Sequence, residues 1–176
     1  VAFLIFALTF FVYLVYKRFR FDFRWKDVFV YAAVLCVVGG AWFILQIATG
    51  NYSIIKDFIL YQIRLFETQD AGHGGFLLYH FVILFAGVFP ASILALPVFR
   101  RRALQGEKND KLAELFRWCM ISFWVVLILF TVVRTKIVHY SSFCYFPLTF
   151  LAAYSVSKMM DGRIQYRKWT SVLLIT

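Results

Sequence analysis

Acidic side chains are scarce in this chain. Nine Asp and Glu stand against nineteen Lys and Arg, for a formal net charge of +10 over 176 residues. Charge of either sign makes up only 16% of the sequence, against about 25% in an average soluble domain. Cysteine is rare as well. Cys36, Cys119 and Cys144 are odd in number, widely spaced, and each within or at the edge of an apolar run. That spacing offers no disulfide framework and no metal or redox motif, which leaves them as small packing residues. Walker loops, Gly-x-Ser-x-Gly and metal-binding signatures are absent, so functions that depend on them have no support. Low-complexity tracts, internal repeats and soluble-domain stretches are missing too. No charged n-region or small-residue cleavage site precedes the first apolar run, so that run is not expected to be a signal peptide.

What the chain has in excess is apolar surface. Hydrophobic residues make up 62% and aromatics 21%, with a mean hydropathy of +0.76. An ordinary soluble domain is about 45–50% apolar, so an integral membrane protein is expected. The basic excess would suggest nucleic acid in a soluble protein. Here the basic residues flank apolar runs, as membrane topology requires, and no nucleic-acid partner is expected. The chain begins at Val1 and ends at Thr176, both inside apolar runs, so it reads as a segment of a longer protein.

The expected fold is an all-α membrane bundle forming one transmembrane domain segment. About five spans and the start of a sixth fall at residues 1–16, 28–48, 76–99, 118–133, 137–156 and 169–176. Gly39-Gly40 in the second span would let another helix approach closely. Pro90 and Pro97 should kink the third span, and Pro147 should break the fifth. Residues 108–116 could form a surface helix in a basic loop. Residues 53–68 differ from the spans. At 100° per residue, Ser53, Lys56, Asp57, Arg64, Glu67 and Thr68 gather on one side and apolar side chains on the other, with Leu60 and Gln62 as exceptions. Such a helix should lie in the membrane interface.

Lys and Arg are distributed unevenly among the loops. Residues 17–27, 100–117 and 157–168 hold fifteen of them, and residues 49–75 and 134–136 hold four. The positive-inside rule places the fifteen in the cytoplasm. Two polar knots then face outward together: Asp70-Ala71-Gly72-His73-Gly74-Gly75 and Thr135-Lys136-Ile137-Val138-His139-Tyr140.

Arg134, Lys136 and His139 fall within six residues, followed by Tyr140. They suit phosphate oxygens, with Arg as a fork and Lys as a point charge. Equally, Arg134 and Lys136 could snorkel to headgroups and only end their helices. His73 among Gly72, Gly74 and Gly75 could border an anion-binding backbone or sit in an ordinary turn. Asp70 and Glu67 could serve as a general base or cap a loop. His80, a turn or two into the third span, should hydrogen-bond a neighbouring helix. Tyr61, Tyr79, Tyr145, Trp42, Trp118 and Trp124 read as interface anchors or packing aromatics. Asn51-Tyr52-Ser53 fits a glycosylation pattern but lies too close to the membrane.

The stretch from Arg64 to Phe76, with Tyr79-His80 and Phe89-Pro90-Ala91-Ser92, resembles the middle of bacterial dolichyl-phosphate-mannose–protein mannosyltransferase-like enzymes. Thr135-Lys136-Ile137-Val138-His139-Tyr140 followed by Phe146-Pro147 resembles their later signature. The family includes the lipid A aminoarabinose transferases, and the similarity runs roughly from Phe58 to Ser155. It implies a C-type glycosyltransferase fold in the bacterial inner (plasma) membrane, with its site facing the periplasm or exterior. Such enzymes move a sugar from a polyprenyl-phosphate donor to a protein, lipid or glycan acceptor. By that resemblance Lys136 contacts the donor phosphate, helped by His139, Tyr140, Arg134 and Arg64. Gly72, His73, Gly74, Gly75 and His80 line the cavity. The family's catalytic carboxylate lies in an earlier outer loop, before the start of this chain, and Asp70 is only a fallback. The resemblance fixes no cofactor and leaves room for a divalent cation. The alternative function is a transporter or flippase segment handling an anionic lipid or sugar.

Overall fold

A computed structural model describes residues 2–20, 24–67, 76–100, 103–133 and 136–175. Every regular element among them is helical. Among the described residues two helices are long and apolar enough to cross a membrane: Trp25–Ala48 and Asp110–Val132. A bent pair, Tyr79–Gly87 with Ala91–Phe99, makes up to three.

Helix α1 (Ala2–Tyr16) packs along α7 (Asp110–Val132). The Tyr13 and Trp118 rings stack 4.2 Å apart, and Lys17 reaches Glu114 at 3.3 Å. The next span is α2 (Trp25–Val34), a π-turn (Leu35–Gly39) and α3 (Gly40–Ala48) in succession. The wide turn falls where Gly39-Gly40 was expected to receive a neighbouring helix. No such neighbour is there among the described residues. A Cβ on Gly40 would meet nothing within 4 Å, and one on Gly39 only its own helix's Leu35. Gly50, at φ +77°, turns the chain into α4 (Tyr52–Glu67), where the expected amphipathic helix was placed. Phe58 of α4 meets Trp42 and Phe43 of α3 at 5.7 and 5.9 Å.

The third apolar run departs from a kinked rod. Helix α5 (Tyr79–Gly87) ends before a 107° bend, and α6 (Ala91–Ala95) follows, continued by a 3-10 turn at Leu96–Phe99. Pro90 has no N–H to carry the ladder onward, and the Phe89-Pro90 peptide is cis. Ser92 donates to the Phe85 carbonyl at 2.7 Å and ties the two arms together. Pro97 adds no second kink, because it occupies the first turn of its 3-10 helix, where no N–H is needed.

The surface helix expected at 108–116 is part of α7. Asn109 caps it, accepting from Leu112 N at 3.1 Å. Neither Gly nor Pro interrupts the chain from there to Val132, so the helix runs on into the span. Pro147 likewise does not break its helix. A 3-10 segment (Val138–Cys144) leads into α8 (Tyr145–Met160), and Pro147 lies in the first turn of α8. Helix α9 (Lys168–Ile175) closes against α6. The core is where α5, α6, α7 and α8 meet, around Leu84, Ala95, Val126, Leu127, Leu148 and Leu151.

Candidate functional site

Helix α7 stops at Val132, and the chain returns as the 3-10 segment beside it. Lys136 lies in that return. It is 6% exposed, and its ammonium donates to the carbonyls of Phe130 at 3.0 Å and Thr131 at 2.7 Å. These belong to the last turn of α7, whose carbonyls lack intrahelical partners and whose dipole favours a cation. Burial holds the Lys136 amine below the usual lysine value. No carboxylate pairs with it among the described residues.

Phe130 gathers the other members. Tyr140 stacks on its ring at 4.8 Å, and the His80 ring lies 6.1 Å away. His80 is 1% exposed, and its Nδ1 shares a hydrogen bond with Ser141 Oγ at 2.5 Å. Its Nε2 is buried and has no hydrogen-bond partner among the described residues. If Ser141 donates to Nδ1, Nε2 carries the proton and is an unused donor. If Nδ1 donates, Nε2 is an unused acceptor. The neighbouring element expected to bond His80 is therefore the 3-10 segment, and Lys136, Tyr140 and His80 come together at one end of α7.

Ser141 belongs to this group but was missed in the sequence. It follows Tyr140 directly, and its polar character inside an apolar stretch was the available signal. Its partner lies sixty-one residues away, a separation that local pattern cannot bridge. Arg64 sits elsewhere, exposed in the last turn of α4, with its guanidinium 5.4 Å over the Tyr61 ring. Asp70, Gly72, His73, Gly74, Gly75 and Arg134 lie outside the described residues, as does the His139 side chain.

An apolar groove of about 350 Å³ runs between α1, α7 and the start of α8. Trp118, Phe143, Phe146 and Pro147 line it, and the buried Thr9 hydroxyl there has no hydrogen-bond partner among the described residues. Phe143 belongs to the same 3-10 segment as Tyr140 and Ser141. No three His, Cys, Asp or Glu side chains group as metal ligands among the described residues. The arrangement can hold an anion at the ammonium, with a neutral donor or acceptor at His80, and the 3-10 segment joins it to the apolar groove through Phe143. Compared with known proteins, the chain matches no family model, no curated protein and no solved structure.

Proposed function

We propose that this chain is part of a membrane glycosyltransferase that binds a polyprenyl-phosphate sugar donor, with the donor phosphate beside Lys136. One observation carries the reading: a buried ammonium that, among the described residues, has two carbonyl partners and no carboxylate. A buried charge without a counter-ion is costly, and an incoming phosphate would offset that cost. The ammonium has three N–H donors, so one remains for the ligand while two hold the helix end. The apolar groove suits an isoprenoid tail, and the motif resemblance around Lys136 and His80 points to the same donor class.

In the proposed reaction an acceptor oxygen or nitrogen attacks the anomeric carbon. The bond from that carbon to the phosphate oxygen breaks, and Lys136 stabilises the departing phosphate. A carboxylate from an earlier outer loop takes the acceptor's proton. The site faces the periplasmic side of a bacterial inner membrane in this proposal, following the distribution of basic loops, and the bundle contributes five spans and the start of a sixth.

The test is release of labelled sugar from polyprenyl-phosphate donors by the full-length protein in membranes. Lys136→Ala and Lys136→Gln are expected to lower turnover at least about 100-fold, the scale of a lost charge-stabilising group. Lys136→Gln keeps donors for the two carbonyls, so its folded yield separates lost charge from a lost helix cap. Wild-type turnover in both variants would sink the assignment. The 107° break between α5 and α6 favours a second reading, because transporters use discontinuous helices. Passage of labelled polyprenyl phosphate across vesicles without bond cleavage would support that one.

A further inference from the structure

The opposite end of α7 carries a different kind of site. It lies beside the first turn of α7, a helix whose two ends are about 33 Å apart by helical rise, where the loop after Phe99 meets the loop after Met160. Two adjoining cavities open there, of about 600 and 220 Å³, and share Ala103, Arg163, Ile164 and Gln165. Arg100, Arg167 and Pro97 complete the smaller one, while Lys158 and Tyr154 border the larger.

Charge is partitioned unevenly among these side chains. Lys158 is neutralised: it pairs with Glu107 at 2.7 Å and lies 3.7 Å from Asp161. Tyr154 donates to the same Glu107 oxygen at 3.1 Å. The two carboxylates of the cluster are thereby committed to Lys158. Arg163 donates to the Gly106 carbonyl at 3.0 Å and so fixes one loop against the other. The Arg100 and Arg167 side chains are exposed and form no ion pair or hydrogen bond among the described residues. Three guanidinium groups thus border one concave space with no carboxylate assigned to them.

Chemistry and location together define an occupant. Planar guanidinium forks match phosphate oxygens two at a time. The cavity sits where the apolar helices α6, α7, α8 and α9 end, and Pro97, Ala103 and Ile164 give it an apolar wall. Basic pockets between helices at this level are suited to anionic lipid headgroups. We propose that the space bordered by Arg100, Arg163 and Arg167 binds the phosphates of an anionic phospholipid, with a doubly charged headgroup preferred over a singly charged one. This site is separate from the proposed donor site and does not depend on it.

The test uses the full-length protein in nanodiscs of phosphatidylcholine doped with cardiolipin or with phosphatidylglycerol, with lipid retention read by native mass spectrometry. The variant is Arg100→Gln/Arg167→Gln, which leaves the Arg163–Gly106 contact in place. Wild type is expected to retain cardiolipin over phosphatidylcholine. The double variant should lose that preference by roughly 30-fold, as expected when two basic residues near a lipid surface are removed. Equal retention by wild type and variant would overturn the proposal. So would full displacement of cardiolipin by millimolar glycerol phosphate, which would mark a site for a soluble phosphate. Thermal unfolding of wild type alone is a second reading. A rise in midpoint with cardiolipin but not phosphatidylcholine is expected, and no difference between the two would count against the site.

Discussion

Two helices of nearly equal apolarity live in opposite surroundings. Trp25–Ala48 has a mean hydropathy of 2.4 over its most apolar window, and none of that window is buried. Asp110–Val132 reaches 2.1, and 39% of its window is buried. The first exposes Phe29, Val37 and Val38 at 71, 67 and 71%; α4 packs on its α3 half, and Phe6 of α1 meets Tyr31 of its α2 half at 5.1 Å. The second is the axis on which α1, α5 and α8 pack. Hydropathy therefore identifies a segment that belongs in a bilayer, and it does not say whether the segment faces lipid or protein. Lipid tails are as apolar as leucine, so the difference rests on shape. Helix α7 offers Cys119, Phe123, Val126 and Phe130 along a face that α8 and the 3-10 segment fit.

Substitutions can widen or erase that contrast. Leu151→Ala, at a position with no exposure, should cost about 2–5 kcal/mol through the cavity it leaves. Val38→Ala on the open helix should stay within about 0.5 kcal/mol. Reversible unfolding in mixed micelles measures both, and equal costs would mean the open helix is packed as tightly as the bundle. Ser141→Ala comes next. It strips His80 of its described partner, at about 1–3 kcal/mol for a buried polar group left unsatisfied, again seen as a lower unfolding midpoint.

The Glu107–Lys158 pair gives the bundle a pH dependence that the open helix Trp25–Ala48 does not share through this pair. The hydrogen bond from Lys158, helped by the Asn109 amide and by Tyr154, pulls the Glu107 carboxyl down to about 2 from 4.5. A depressed folded value means stabilisation that is fully present above the unfolded value and lost as pH falls through the folded one. Wild type should therefore lose stability between roughly pH 4.5 and 2, and Glu107→Gln should flatten that slope. A small effect of opposite sign is expected at Gly40. Ala there meets no atom within 4 Å and should stabilise the helix by about 0.4–1 kcal/mol. Destabilisation in the full-length protein would show that a helix packs on this face after all.

Legibility in the sequence followed the range of the interaction. The amphipathic helix could be placed from residues 53–68 because its polar side chains repeat with the helical turn, and α4 spans Tyr52–Glu67. Lys136 and Tyr140 could be grouped because they are four apart. The continuity of α7 was harder to see. Lys111, Glu114 and Arg117 look like loop chemistry, yet they fall three residues apart and so keep to neighbouring positions on one helix. The proline-led bend at Pro90 could be expected, but its size could not, since local sequence does not encode the angle between two arms. Ser141 opposite His80 was beyond reach for the same reason. Nothing near either residue specifies the other.

Lys136 is also a latch. While its ammonium rests on the Phe130 and Thr131 carbonyls, it holds the last turn of α7 shut. A phosphate that took only the third N–H, as in the proposed donor site, would leave that turn closed. One that drew on the other two as well would release the turn to fray, and linkage would then make the relation reciprocal: whatever loosened the end of α7 would strengthen the grip on the anion, and whatever tightened that end would weaken it. The mobility of a single turn would then set how many of the three protons a ligand could claim.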